Sequence, residues 1–295
     1  MSHQAVQRVV VRMLYDADFA AAVYARPAAA LAGVALTPEE QAWLVRPDPR
    51  AFRTDPYRRA RALTGLLEEY PASSALLVRL EGSGGTARLD AFFGSAHFHA
   101  AIQERGSLAA AFGSYLMEVA ADVAGSSGVP PDPRLAAVAA LESAVAAVRR
   151  APARAAPAAP EHGRLRLGAH AAILALPGGT LALFEAVTAR LRAHGAGAVA
   201  ALLDPACRLP APLAPADPAD PAAADAAETL LVERGPAGEV TVEHCPEALA
   251  TLLSAAREPV AAGALVEEAR RLGADPGAEA ALVTSLVAGG LLVPA

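Results

Sequence analysis

Two segments rich in proline and alanine interrupt this chain and divide it into parts with different sequence patterns. They are 151–160 (APARAAPAAP) and 204–225 (DPACRLPAPLAPADPADPAAAD). Proline removes backbone donors and alanine buries little surface, so packing such segments does not offset the entropy lost on ordering them. We therefore predict a domain at 1–150, a linker at 151–160, and a second domain at 161–295 that contains a long loop at 204–225.

The first domain is predicted to be helical throughout. One apolar series with the i, i+3, i+4, i+7, i+8 spacing of an amphipathic helix consists of Val6, Val9, Val10, Met13 and Leu14. The run Thr37-Pro38-Glu39-Glu40 has the capping-box arrangement of a helix start. The glycine-rich run at 82–85 predicts a helix end. Most aromatic residues of the chain lie in the helical half, and those at 92–115 have helical spacing. These aromatics predict the core of the helical domain.

The second domain mixes predicted strands and helices. The strands are predicted at 164–167 and 171–176, a helix at 180–194, a hairpin at 229–234 and 239–243, three helices at 246–257, 260–272 and 276–288, and a closing strand at 290–294. The hairpin prediction depends on two β-rich runs around the turn sequence Gly235-Pro-Ala-Gly238. The order of strand, strand, three helices and strand predicts a winged-helix unit. The fold class is therefore α+β, mostly α, with an N-terminal helical domain and a C-terminal winged-helix-like domain.

Charge and hydropathy argue against two classes of function. The net charge is -6, and all 25 basic residues other than histidine are arginines, since the chain has no lysine. The acidic excess lies after residue 150, whereas a nucleic-acid binder carries a basic face. Although 54% of the residues are hydrophobic, no stretch has the roughly 18 uninterrupted apolar residues of a membrane span. The first 18 residues lack a signal-peptide core. We therefore expect a cytoplasmic protein that binds neither nucleic acid nor membrane.

The predicted third helix of the winged-helix unit also argues against base recognition. A recognition helix supplies Arg, Lys, Asn or Gln to base edges, yet 272–295 contains none of these residues. An alternative use of such a surface is an apolar cleft in which an extended peptide adds as a further strand.

The motifs of enzyme chemistry are incomplete in this sequence. His97-Phe98-His99 is half of a metal site on an extended segment, but its flanks are helical and no further ligands lie nearby. Gly94-Ser95 and Gly113-Ser114 lack the GxSxG pattern, and Cys207 and Cys245 lack the spacing of a zinc or redox pair. We predict no catalytic residue, no metal site and no cofactor in this chain. A stand-alone metalloenzyme that uses His97 and His99 remains a third hypothesis.

An arginine cluster stands out in the helical half. Its members are Arg46, Arg50, Arg53, Arg58, Arg59 and Arg61. Guanidinium groups suit carboxylates and phosphates, so the cluster suits an acidic partner, and the alternative is a solvated helix face.

Several segments resemble the N-terminal helical domain of one protein family. They are 29–45 (AALAGVALTPEEQAWLV), 48–52 (DPRAF), 70–74 (YPASS), 92–99 (FFGSAHFH) and 106–116 (GSLAAAFGSYL). The family comprises the partner proteins of multinuclear non-haem iron-dependent oxidative enzymes, similar to the second subunit of the methanobactin-forming oxidase. The resemblance implies a helical domain joined to a winged-helix-like domain that recognises a ribosomally made precursor peptide. It also implies a heterodimer with a TIM-barrel iron enzyme, in which the iron belongs to the enzyme.

These observations lead to one preferred function and one alternative. We expect a non-catalytic subunit that binds the leader of a precursor peptide by strand addition and presents it to the iron-dependent enzyme. The peptide-binding candidates are Leu230, Val232, Val240, Val242, Leu282 and Leu286. The partner-binding candidates are Arg50, Arg53, Arg58, Phe92, Phe93, His97 and His99. The alternative is a winged-helix transcription regulator with a helical sensor or dimerisation domain.

Overall fold

A computed structural model describes most of the chain. The described residues are 3–53, 57–81, 83–126, 133–152, 163–194, 198–204, 207 and 227–295. Nearly all of the predicted linker at 151–160 and of the predicted loop at 204–225 lies outside these residues. Within them the protein is mostly helical, with two small antiparallel sheets, so the α+β class with a helical majority is confirmed.

The helices of the first half follow one another closely. They are α1 (His3–Tyr15), α2 (Ala17–Ala25), α3 (Pro27–Ala30), α4 (Pro38–Leu44), α5 (Arg58–Glu69), α6 (Pro71–Glu81), α7 (Ser83–Ala91), α8 (Ala96–Glu104), α9 (Leu108–Ser126) and α10 (Pro133–Arg150). Short 3-10 helices span Pro49–Arg53 and Phe92–Gly94. The capping box before α4 is present, because Thr37 Oγ1 accepts from the Glu40 N–H and Glu40 accepts from the Thr37 N–H.

Strands and helices alternate in the second half. The elements are β1 (Arg164–Leu167), β2 (Ala171–Pro177), α11 (Thr180–Ala193), α12 (Ala198–Leu203), β3 (Ala227–Arg234), β4 (Val240–His244), α13 (Glu247–Ala255), β5 (Val260–Ala261), α14 (Ala262–Arg271), α15 (Glu279–Ala288) and β6 (Leu292–Pro294). The predicted strands, hairpin and helices of this half are therefore confirmed as elements. The helix α12 was not among the predictions.

The chain folds into two compact units that are not contiguous in sequence. One unit comprises 1–139 and 186–210, and the other comprises 140–185 and 211–295. Two of the three boundaries fall within α10 and α11. The predicted domain boundary at 151–160 stays a prediction.

Aromatic rings form the centre of the first unit. Phe92, Phe93, Phe98 and Phe112 are all fully buried. The Phe92 ring centroid lies 5.0 Å from that of Phe112 and 5.5 Å from that of Phe98, in edge-on geometry. Such edge-on pairs stabilise a core beyond the burial of their area alone. The predicted aromatic core of the helical half is confirmed.

The described part of the glycine-rich run, 83–85, lies at the start of a helix. The predicted helix end is confirmed, since α6 ends at Glu81, but α7 begins at Ser83. A Cβ atom at Gly85 would lie 2.5 Å from the Val78 Cα. Glycine at this position therefore allows the backbones of α6 and α7 to approach closely, which outweighs its low helix propensity.

The described strands of the second unit form two sheets of three strands each. One sheet has the order β2-β3-β4 and the other has the order β5-β1-β6, and all neighbours are antiparallel. The predicted hairpin, β3–β4, and the predicted closing strand, β6, therefore lie in different sheets. A shared core packs between helices and strands, and its buried members include Leu165, Ile173, Leu253, Leu265, Leu286 and Leu292.

No helix among the described residues has both the length and the apolar character required to cross a bilayer.

Candidate functional site

The β3–β4 hairpin is built by alternation in the strands and by glycine in the turn. Gly238 adopts a positive φ of 91°, which favours glycine, and its N–H donates to the Gly235 carbonyl at 3.0 Å. The strands pair with Val232 opposite Val242 and Arg234 opposite Val240. Among the described residues β4 pairs with β3 alone, so β4 forms one edge of its sheet.

The hydrogen-bond pattern of the hairpin determines which backbone groups of β4 point outward. The Gly235 N–H donates to the Glu239 carbonyl and the Cys245 N–H donates to the Thr229 carbonyl, each at 2.8 Å. In an antiparallel pair, hydrogen-bonded and non-hydrogen-bonded positions alternate. Val240, Val242 and His244 therefore direct their N–H and C=O groups away from β3. These groups define what we call the β4 edge.

The opposite edge of the same sheet is partly occupied. The Arg234 N–H donates to the His170 carbonyl at 2.9 Å, so by alternation the carbonyl of Ile173 on β2 points outward. That carbonyl accepts a hydrogen bond from Arg257 Nη2 at 3.0 Å. A side chain placed across an edge strand is one means by which proteins block further pairing.

The edges of the second sheet offer little for pairing. The strand β5 has only two residues. In β6, the carbonyl of Leu291 accepts from Gly168 and the Ala295 N–H donates to Arg164, so Leu292 and Pro294 are the outward positions. Proline has no N–H to donate. The β4 edge, by contrast, presents an uninterrupted series of outward donors and acceptors at Val240, Val242 and His244.

The structure places the predicted peptide-binding residues in three different settings. Leu230 and Val232 lie on the central strand β3 and are fully buried, whereas Val240 and Val242 on β4 are half-buried. Val242 lies opposite Val232, so these two side chains share one face of the sheet.

The helix α15 contributes to a different part of the second unit. Leu286 packs in the core that contains Ile173, on the face of the sheet opposite to Leu230 and Val232. Leu282 is 37% exposed. The helix packs against α14 and β6. The structure therefore does not assemble the six candidates into one cleft, and it retains Val240 and Val242 at an accessible edge.

The other residues of the β4 edge were not among the candidates predicted from the sequence. Thr241, Glu243 and His244 are exposed, and Glu243 lies opposite Leu231 on the face that does not carry the valines. The missed signal was the alternation Val-Thr-Val-Glu, because charged residues in a short strand are typical of a sheet edge.

The partner-binding candidates of the first unit also divide. Phe92 and Phe93 are fully buried, so they contribute to the core and not to its surface. Arg50 is exposed and Arg58 is partly buried, while the side chain of Arg53 lies outside the described residues. These observations leave Arg50 as an accessible cation in the segment that precedes α5.

Arg59, a member of the arginine cluster, connects several helices of the first unit. Its Nε donates to Asp90 Oδ1 at 2.5 Å and its Nη1 donates to the Tyr15 carbonyl at 2.7 Å. Its Nη2 also donates to the Asp90 carbonyl at 3.0 Å. One guanidinium group therefore connects α5 to α7 and to the end of α1, a role that suits its planar fork.

His97 and His99 lie on α8 and have separate environments. His97 Nε2 lies 2.6 Å from Glu118 Oε2 on α9. The His99 ring is partly buried, and burial together with the nearby charges of Arg12 and Arg8 lowers its pKa. The pair is helical, as predicted, so the two imidazoles diverge. The described residues hold no group of three or more His, Cys, Asp or Glu side chains placed to bind a metal ion.

An apolar groove lies in the first unit between α2 and the segment before α5. Its volume is about 710 Å³. The residues that line it include Met13, Leu14, Tyr15, Tyr24, Phe52 and Arg59. Tyr24 Oη donates to the Pro47 carbonyl at 2.6 Å, and burial, with the charge of Asp48, raises its pKa. The Tyr24 hydroxyl therefore stays protonated and supports one wall of the groove.

Both cysteines are free thiols. Cys245 is buried directly after β4, and burial raises its pKa, while Cys207 is partly buried. A thiol with a raised pKa is a weak nucleophile at neutral pH.

Comparisons of this chain with protein-family models, with curated proteins and with solved structures gave no match.

Proposed function

We propose that this protein is a non-catalytic recognition subunit that binds an extended segment of a ribosomally made precursor peptide along the β4 edge. In strand addition, the main chain of the edge supplies affinity and register, while alternate side chains supply specificity. The single observation that carries the proposal is the series of outward N–H and C=O groups at Val240, Val242 and His244. The valine side chains give this edge an apolar face as well.

The identity of the partner rests on the resemblance of the five segments in the helical half. We propose that the first unit binds a multinuclear iron-dependent oxidative enzyme and that the two proteins act as a heterodimer in the cytoplasm. The iron would belong to that enzyme. In this arrangement the chain would hold the leader of the precursor while the enzyme modifies another part of it.

The second unit is proposed to be a winged-helix variant. Three consecutive helices, α13 to α15, accompany the three-stranded sheet β5-β1-β6, and in sequence β5 lies between the first two of them. The middle strand of that sheet is β1, which precedes the helices in sequence. In this proposal the hairpin β3–β4 is an addition to the winged helix rather than its wing.

The test is co-expression of this chain with an iron-dependent oxidase and a short precursor encoded near it. We expect the three to co-purify from the wild-type chain. In Val242→Pro, proline removes one outward N–H of the β4 edge and places its ring there, while the hydrogen bonds of β3 with Thr241 and Glu243 are kept. This variant is expected to lose the precursor and to retain the oxidase.

Val242→Ala is the matched control, because it shortens the same side chain and keeps the N–H group. Co-purification of the precursor with Val242→Pro at the wild-type level would refute binding at the β4 edge. A mobility-shift assay with duplex DNA completes the test, since a salt-dependent shift at low protein concentration would favour a transcription regulator instead.

A further inference from the structure

The β4 edge differs on its two faces, and this difference restricts the peptides that suit it. Val240 and Val242 project to one face, and Thr241 and Glu243 project to the other. An added strand meets both faces, because its successive side chains also alternate. The sequence of the peptide would therefore need side chains that alternate between those suited to the valine face and those suited to the face of Thr241 and Glu243.

Glu243 is the charged group of the edge. It is exposed, it lies one residue before the end of β4, and Leu231 is its neighbour on β3. Among the described residues no side chain or backbone group bonds to the Glu243 carboxylate. A residue of an added peptide strand can therefore lie beside Glu243, on the side of β4 that faces away from β3.

The alternation of hydrogen-bonded and non-hydrogen-bonded positions along β4 makes Glu243 sensitive to the charge of the peptide residue opposite it. Val240, Val242 and His244 would form the hydrogen-bonded pairs with an antiparallel peptide strand, so Thr241 and Glu243 would occupy the non-hydrogen-bonded pairs. Side chains approach each other most closely in such pairs, where Cα atoms lie about 4.5 Å apart. Opposite charges placed there stabilise pairing and like charges oppose it.

We infer that the peptide segment bound at the β4 edge runs antiparallel to β4 and has the order basic, apolar, polar, apolar from its N-terminal to its C-terminal residue. The basic residue, Lys or Arg, lies opposite Glu243. The apolar residues lie opposite Val242 and Val240, and the polar residue lies opposite Thr241. This inference rests on the proposed function and specifies its peptide.

The test uses the full chain and fluorescent synthetic peptides in anisotropy titrations. One peptide carries Lys-Val-Thr-Val between flexible Gly-Ser arms, and its matched partner carries Glu-Val-Thr-Val. We expect the wild-type chain to bind the Lys peptide about fivefold more tightly at low salt, as one close charge pair would give. The preference should decrease as salt increases.

Reversing the charge of Glu243 is the decisive experiment. Glu243→Lys is expected to invert the preference, so that the Glu peptide binds more tightly. Glu68→Lys, on the exposed side of α5 in the first unit, changes the net charge by the same amount and should leave the preference as in the wild-type chain. An unchanged preference in Glu243→Lys, or the absence of binding by both peptides, would overturn the inference.

The same titrations separate this inference from the proposed function. If Val242→Pro abolishes the binding of both peptides and the wild-type chain shows no charge preference, the β4 edge binds peptides but the assigned sequence order is wrong. If Val242→Pro binds both peptides as the wild-type chain does, binding at the β4 edge is itself wrong.

Discussion

Arg59 shows how a single residue of a charged cluster can serve the fold. Its guanidinium group bonds to the Asp90 carboxylate, the Asp90 carbonyl and the Tyr15 carbonyl, and thereby connects three helices. The sequence shows Arg59 beside other arginines, but it does not show which of them faces a carboxylate 31 residues away. The three-dimensional structure was therefore needed to distinguish an arginine that supports the fold from one that is accessible at the surface.

We predict that Arg59→Lys lowers the free energy of unfolding by about 1–2 kcal/mol. An ammonium group cannot reproduce the planar fork, and the partly exposed Asp90 limits the loss. Urea unfolding followed by circular dichroism measures the effect. Arg50→Lys is the control, because Arg50 is exposed, and it should change stability by less than about 0.5 kcal/mol. Equal effects of the two substitutions would contradict the assigned role of Arg59.

His99 gives a prediction for pH. Burial and the charges of Arg12 and Arg8 lower its pKa in the folded state. Below the ordinary His pKa of about 6.5, the unfolded chain therefore takes up a proton that the folded chain resists, and stability falls as pH falls. One such group contributes at most about 1.4 kcal/mol per pH unit.

The measurement is thermal unfolding of the wild-type chain and of His99→Gln between pH 7 and the lower pKa of folded His99. The variant is expected to lose less stability as the pH decreases. His244→Gln, at an exposed position, should keep the wild-type pH dependence. A pH dependence that is identical in His99→Gln and the wild-type chain would count against this assignment.

At the scale of elements, local patterns predicted the hairpin and the helices well, because turns, caps and periodicity are encoded in neighbouring residues. The hairpin predicted at 229–234 and 239–243 is found at 227–234 and 240–244. The sheet order was not accessible in this way. That β2 pairs with β3, and β1 with β6, depends on contacts between distant residues that no local pattern specifies. Because these pairings could not be read from the sequence, the six peptide-binding candidates were expected to share one cleft.

The alternation of inward and outward N–H groups along β4 predicts that proline destabilises the protein to different extents at adjacent positions. Thr241→Pro removes an N–H that points toward β3 and is expected to cost at least about 2 kcal/mol. Val242→Pro removes an N–H that points outward and should cost less than about 1 kcal/mol. Thermal denaturation of both variants measures the difference, and equal destabilisation would show that the assigned alternation is wrong.

At the scale of the whole molecule, the two compact units interleave along the chain. Residues 186–210 belong to the unit that otherwise spans 1–139. Within that unit α12 packs against α5 and α6, and its residues Ala201 and Leu202 are buried. Because of this order, no single cut of the chain separates the two units intact.

We therefore predict that a fragment of residues 1–150 is less stable than a fragment of residues 1–210, which retains α12. The loss of buried Leu202 and Ala201 is expected to cost about 2–4 kcal/mol and to expose apolar surface. Thermal unfolding measures the loss of stability. Identical melting temperatures for the two fragments would contradict the assignment of α12 to the first unit.

The alternation of backbone direction along β4 restricts how far a bound strand can slide. A shift by one residue would turn inward-facing amides outward and move every side chain to the other face, so only shifts by two residues are permitted. Each permitted shift moves the strand by about 6.6–6.8 Å. A peptide held at this edge would thus be positioned in steps of two residues. The number of residues between the edge and a site further along the peptide could therefore change only by even numbers.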